Sequence, residues 1–265
     1  MGLDSDLALK PLGDGAYEGK IDERWWTPRG PLGGYVMAIM LRGLELELAD
    51  PGRMPRSLTV TFMRPPAAGP VTVRATVERS GRSLSNLAGR LEQDGQSLAL
   101  ALASFSVPWT GPLLDEAPMP DVEPPEWRRP PAFELPEGAP PFIAQLSMQR
   151  RFGSDPFTGA DRAETGGWLG LGEERELDAP AIALLADAWF PSPWTRLRRL
   201  APAPTIEMSV YFRAPLPRED SLLLARFRST LSRDGFFEED GELWAPDGTL
   251  VAQSRQLALL IGAEE

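Results

Sequence analysis

Apolar and polar residues alternate along this chain with two periods, and the change from one to the other marks its elements. From Tyr35 to Leu48 the period is helical, with Val36, Ile39, Met40, Gly43 and Leu44 along one side and the acidic Glu45 and Glu47 only near the end. A helix so apolar in its first two turns needs other structure around it. Asp50-Pro51-Gly52 closes it. Four strands are then predicted, at Ser57–Arg64, Pro70–Ser80, Arg82–Gln93 and Gln96–Val107. In the second of these, Val71, Val73, Ala75 and Val77 alternate with Thr72, Arg74, Thr76 and Glu78, and Asp94-Gly95 supplies a tight hairpin turn. Before the helix, a weak strand is expected at Ala16–Ile21. Trp25 to Gly34, with paired Trp, two Pro and three Gly, reads as a loop that packs.

The pattern returns in the second half. Met148–Phe152 and Glu164–Leu171 read as strands. Ala179–Trp189 reads as a helix with Pro180 in its first turn, and Phe190-Pro191-Ser192-Pro193 breaks it. Strands follow at Thr205–Arg213, Ser221–Ser232, Phe236–Trp244 and Thr249–Ile261. Asp247-Gly248 takes the hairpin place of Asp94-Gly95, 153 residues on. In Thr205–Arg213, Ile206, Met208, Val210 and Phe212 share one face, with Glu207, Ser209, Tyr211 and Arg213 on the other. Arg56–Pro66 echoes this stretch and aligns Phe62-Met63-Arg64 with Tyr211-Phe212-Arg213, which sets Arg56 opposite Thr205. The repeat rests on element order and turn position, since few side chains match. A helix followed by an antiparallel meander, twice, makes an α+β fold. The expected units are residues 1–107, a proline-rich linker at 108–142, and residues 143–265.

Composition removes several chemistries. The chain of 265 residues has no Cys and no His, which excludes disulfides, thiol nucleophiles, Ser-His-Asp triads and His or Cys metal sites. Its net charge of −11 argues against general nucleic-acid binding. No apolar run approaches a membrane span and the N-terminus lacks a signal-like segment, so a cytoplasmic location is expected.

The ordered segments Gly30–Tyr35, Ser57–Pro66, Leu184–Asp187, Thr205–Pro215 and Asp247–Gln256 resemble those of the double-hotdog acyl-CoA thioesterases, the thioesterase II (TesB-like) family. That resemblance implies two tandem hotdog domains, each a curved antiparallel sheet around a long apolar helix. It also implies hydrolysis of an acyl-CoA, and a catalytic set at Asp187, Thr205 and Gln256. Met208 stands where the family often has His. No cofactor and no metal are implied, and the partner is the acyl-CoA itself. A homo-oligomer, dimer or higher, is expected because pairing of copies would cover sheet edges.

The chemistry is sound without His or Cys. A thioester has a good leaving group, with a thiol pKa near ~8.5. It needs a held water, a carboxylate to orient or deprotonate it, and donors for the oxyanion. Asp187 can serve as the carboxylate, Thr205 and Gln256 as hydrogen-bonding partners of the water. Gly33 and Gly34, at the start of the first helix, could aim N–H groups at the thioester oxygen. Each residue also has a plainer reading. Asp187 could face solvent at a helix end, Thr205 could merely open a strand, Gln256 could point outward, and Gly33-Gly34 could serve only tight packing. Ala103 and Arg56 stand at the repeat positions of Gln256 and Thr205, so one competent site per chain is expected. Arg53, Arg56, Arg196, Arg198 and Arg199 are candidates for the CoA phosphates. A non-catalytic acyl-CoA or fatty-acid binder on the same fold is the alternative. A hydratase or dehydratase is disfavoured by the missing histidine.

Overall fold

The computed structural model describes residues 2–127, 138–215 and 222–262. Pro130, Pro131 and Pro136 of the expected linker, and Ser221 of an expected strand, lie outside those residues. The first half contains β1 (Lys10–Gly13), β2 (Ala16–Ile21), helix α1 (Gly33–Leu48), β3 (Met54–Phe62), β4 (Gly69–Ser80), β5 (Leu84–Gln93) and β6 (Gln96–Ser106). The second contains β7 (Leu146–Gly153), β8 (Ala163–Leu171), helix α2 (Ala179–Leu185), β9 (Thr205–Phe212), β10 (Leu223–Ser229), β11 (Phe236–Trp244) and β12 (Leu250–Leu259).

All twelve strands join one antiparallel sheet in the order β1-β2-β4-β5-β6-β3-β9-β12-β11-β10-β8-β7, with a two-residue strand at Ser232–Arg233 added beside β11. The order reads the same from both ends: β3 matches β9, β6 matches β12, β5 matches β11. The halves meet where β3 pairs with β9, Met208 opposite Val60 and Ser209 opposite Thr59, whose hydroxyls bond across the seam at 2.8 Å.

Helix α1 is sixteen residues long and packs against β3, β4, β5 and β6. Ile39, Met40, Leu41 and Leu44 are fully buried, each worth roughly 1.5–3 kcal/mol of transfer from water. Its Tyr35 stacks on Trp25 at 5.4 Å and holds the Lys20 carbonyl at 3.0 Å, while the Trp25 indole donates to Asp6 at 2.9 Å. The tryptophan loop is thus part of the core, as its composition implies.

The second helix departs from expectation. It has seven residues, not the eleven of Ala179–Trp189, and so is not a long helix. After Leu185 the chain tightens into a turn, with Asp187 N–H donating to the Leu184 carbonyl at 3.2 Å. Pro191 bars a helix from running through it, and the tightened turn, with the Ala188 N–H also donating to the Leu185 carbonyl, ends α2 well before that point. The turn frees Asp187 from the helix axis.

Residues 107–127 contain no regular element, yet they are more than a spacer. Met119 and Val122 pack on Trp168, Leu222, Leu224 and Trp244, a second apolar cluster separate from the main core. Trp168 and Trp244 donate their indole N–H groups to the Glu123 and Ala117 carbonyls at 2.9 and 3.3 Å. These side chains alternate with the core-facing Leu169, Leu223, Ala225 and Leu243, so the strap covers the outer face of the second half's sheet where β8, β10 and β11 carry Trp168, Leu224 and Trp244. On the first half the corresponding face is open, with a groove of about 550 Å³ bordered by Thr59, Arg74, Arg90 and Glu207.

α1 and α2 lie antiparallel. The start of α1 touches the end of α2, where a Cβ on Gly34 would fall 2.5 Å from the Leu184 carbonyl oxygen and 2.9 Å from the Asp187 Cβ. At the opposite end Arg42 of α1 bonds to Asp178, the N-cap of α2. Gly34→Ala should therefore lower the melting temperature, by an overpacking cost of about 1–3 kcal/mol. A variant melting with the wild type would show that the helices can separate freely.

Candidate active site

Three features converge where the two helices meet the seam of the sheet. The first is the N-terminus of α1. Leu32, its N-cap, has no side chain that can accept a hydrogen bond. Asp187 does this from the other half of the chain, its Oδ2 accepting the Gly34 N–H at 2.7 Å. A carboxylate at a helix start meets free N–H groups and the positive end of the helix dipole. Gly33 is equally close, for a Cβ there would stand 2.9 Å from the same oxygen and 3.3 Å from the Phe62 ring. The structure therefore brings Gly33, Gly34 and Asp187 together. It corrects one expected role: the Gly34 N–H binds the Asp187 carboxylate and is not free for a substrate oxygen.

The second feature is the start of β9. Strict alternation puts Thr205 on the outer face with Glu207 and Ser209. A bulge intervenes, since Thr205 lies opposite Ala258 while Glu207 lies opposite Leu257, leaving Ile206 as the extra residue. The bulge turns Thr205 inward, where its hydroxyl donates to Gln256 Oε1 at 2.6 Å. Gln256 is on the inner face of β12 beside Met208 and is buried. Met208 itself is buried apolar packing.

The third is a residue that the sequence reading passed over. Glu239 of β11 is the cross-strand partner of Gln256 and accepts its Nε2–H at 2.7 Å. Its other oxygen accepts the Ser192 N–H at 2.5 Å. Glu239 is 4% exposed. The signal was present in parity: Phe237, Glu239, Gly241 and Leu243 share a face, and Phe237 and Leu243 are core residues.

Two carboxyl groups thus stand within electrostatic reach of one another. Burial pushes the Asp187 carboxyl up to about 7, the Gly34 N–H opposes the shift, and the charge of Glu239 adds to it. Glu239 is raised as well, by burial first, against the bonds from Ser192 and Gln256. A carboxylate titrating near neutrality can hold or release a proton under ordinary conditions, the requirement of a general base. Asp187 and Thr205 are only partly buried, so the site opens to solvent. Among the described residues no group of acidic side chains could hold a metal ion, and no helix is long and apolar enough to cross a membrane.

In the first half the register sets Leu58 opposite Ala103, and Ala103 opposite Leu87. These are the counterparts of Met208, Gln256 and Glu239. A matching bulge falls at Arg56, between Pro55 and Ser57, so the counterpart of Thr205 is Pro55. The alignment of Arg56 with Thr205 is therefore off by one residue. Ala103 does stand where Gln256 does.

Two family models match the chain. Residues 22–106 match the acyl-CoA thioesterase N-terminal domain, and residues 115–260 match the acyl-CoA thioesterase C-terminal domain. A protein of unknown function with a hot dog fold from Alicyclobacillus acidocaldarius is 28% identical, covers 97% of both chains, and superposes with a TM-score of 0.86. An acyl-CoA thioesterase II, TesB2, from Mycobacterium marinum shares the fold, with a TM-score of 0.79 at 21% identity over 98% of both chains. An uncharacterized protein of Mycobacterium tuberculosis is 25% identical over 96% of both chains.

The raised pKa of Asp187 fixes the sign of a stability effect. Below the ordinary carboxylate value of 3.8 the group is protonated whether the chain is folded or not. Between there and about 7 the unfolded chain ionises while the folded one keeps its proton, so ionisation opposes folding, fully so above 7. Asp187→Asn keeps an acceptor for Gly34 and removes the charge. Its melting temperature relative to wild type should be higher at pH 8 than at pH 5. A difference that does not change with pH would mean that Asp187 titrates as an ordinary surface carboxylate.

Proposed function

Since the chain belongs to the acyl-CoA thioesterase family, we propose that it hydrolyses the thioester of an acyl-CoA to a free acid and CoA, using a water held by Asp187, Thr205 and Gln256. The observation that carries this reading is the junction itself. Asp187, raised toward neutrality, is fixed on the N-terminus of α1 within the electrostatic reach of Glu239, which bonds to Gln256, which bonds to Thr205.

In the proposed reaction Asp187 accepts a proton from the water as its oxygen attacks the thioester carbon. Thr205 and Gln256 orient that water, and the Gly33 N–H, the first-turn donor of α1 that neither Asp187 nor the Leu32 carbonyl takes, is the candidate donor to the carbonyl oxygen as it gains charge. Collapse of the tetrahedral intermediate expels the CoA thiolate, which needs no obligatory strong acid. The free-enzyme profile of kcat/KM then rises with pH to a midpoint near 7, where Asp187 loses its proton.

CoA is polyanionic, and the arginines differ in availability. Arg53 is committed to Asp50, Ser85 and the Gly81 carbonyl, and Arg56 to Ser106, so both serve the fold of the first half. Arg196, Arg198 and Arg199 are exposed on the loop that leads into β9. They are the better candidates for the phosphates.

The test is hydrolysis of short, medium, long and aryl acyl-CoAs by wild type and single variants. Asp187→Ala should lower kcat by about 100-fold or more, and Thr205→Ala and Gln256→Ala less, in line with loss of general-base and orienting groups. Replacing Arg196, Arg198 and Arg199 with Glu should raise KM, most strongly at low salt, with kcat kept. Full turnover by Asp187→Ala would defeat the catalytic assignment. Tight binding across the series without turnover would favour a non-catalytic acyl carrier.

A further inference from the structure

Glu239 differs from the acidic residues on either side of it. Glu238 bonds to Thr230 and the Leu231 N–H, and Asp240 pairs with Arg255, both toward the outer side of the sheet. Glu239 points into the core, and no ion pair reaches it among the described residues. A buried carboxyl group without a cation opposes folding even when it is hydrogen-bonded. Leu87 fills the counterpart position of the first half, so packing alone has an apolar solution at this place in the fold.

The geometry points to Glu239 as a positioning residue that sets the polarity of the Gln256–Thr205 relay. Both oxygens of Glu239 are engaged as acceptors of N–H groups, one from Ser192 and the other from Gln256. Facing it, Gln256 must turn its NH₂ group toward Glu239 and its carbonyl oxygen toward Thr205. The Thr205 hydroxyl must then donate its proton to Gln256, which leaves its oxygen lone pair to accept a hydrogen bond from the reacting water. The Ser192 N–H anchors the far end of the chain and fixes the Glu239 side chain in turn. With an amide or a hydrocarbon at position 239, Gln256 is free to rotate by half a turn. Thr205 then becomes a donor toward the water, the wrong sense for holding it with a proton aimed at Asp187.

This inference rests on the thioesterase reading, and a double-mutant cycle separates the two. Glu239→Gln, nearly isosteric, should lower kcat for acyl-CoA hydrolysis roughly ten- to hundredfold, the span of coupling between contacting residues, with KM little changed. Its melting temperature should equal or exceed that of wild type, as should that of Glu239→Leu, which copies the first half. In a Gln256→Ala background the Glu239→Gln change should cost nothing more, because the residue acts only through Gln256. A wild-type kcat for Glu239→Gln, or an undiminished further loss in the Gln256→Ala background, would overturn the positioning role while leaving the function intact. An unchanged kcat for Gln256→Ala alone would instead overturn the site itself, and the role of Glu239 with it.

Discussion

The contact on which this architecture turns is the capping of α1 by Asp187. An apolar helix start with no local acceptor leaves N–H groups to be satisfied, and a carboxylate near the core needs donors. Each group solves the other's problem at 2.7 Å, and the bond spans 153 residues of sequence. It requires the helices to approach until only glycine fits at position 34. It requires α2 to stop at Leu185 so that the next turn can bring Asp187 across. Helix length and glycine placement are therefore parts of one arrangement.

Duplication gives the sheet its near-mirror strand order, and the two ends of the helix pair show how duplicated parts diverge. At one end, Arg42 and Arg175 surround Asp178, whose carboxyl they hold below its ordinary value against burial. That end carries matched charges and is a structural joint. At the other end stands Asp187 with no cation bonded to it among the described residues, close to a second carboxylate, and its pKa moves the opposite way. The same residue type is thus stable and inert in one place and poised in the other. The arginine bonds and the Ala181 N–H make that difference for Asp178, whereas Glu45 at the same end, bonded to Arg42 alone, is still pushed up to about 7 by burial. The sheet repeats the contrast, with Leu58, Leu87 and Ala103 where the second half has Met208, Glu239 and Gln256.

Much of this was legible in the sequence, for a physical reason. Period-two strands, Asp-Gly turns and an apolar helix are local signals, and β2, β4 and β11 sit within a residue of where alternation placed them. The segments matching a known family located Asp187, Thr205 and Gln256, and the structure joins Thr205 to Gln256 and Asp187 to Gly34. Illegible features were those set by non-local contacts. The bulge at Ile206 is a matter of register with β12, so the alternation of residues 206–213 does not reveal that Thr205 turns inward. The strap over Trp168 and Trp244 reads as a bare linker because proline-rich segments carry no period. Glu239 was hidden in the acidic run Glu238-Glu239-Asp240, which looks like a solvated stretch until the alternation of Phe237, Gly241 and Leu243 is imposed on it.

A candidate site with one buried and one partly buried carboxyl group, and no cation bonded to either among the described residues, is unfavourable for folding, and the placement of the two groups limits how that cost can be reduced. Cations beside Asp187 would lower its pKa, as Arg42 and Arg175 do for Asp178, and would leave a weaker base. Moving Glu239 outward would relieve the repulsion but release Gln256. The surroundings offset part of that cost: α1 is buried over most of its length, and the second half's sheet is covered by the core on its inner face and by the strap over Trp168, Leu224 and Trp244 on its outer face. The strap stabilises the sheet that carries Glu239 and Gln256 from behind, through Trp244 on β11. A segment without chemistry of its own thereby supports the strand that carries Glu239, and the stability it adds offsets part of what burying that carboxyl group costs.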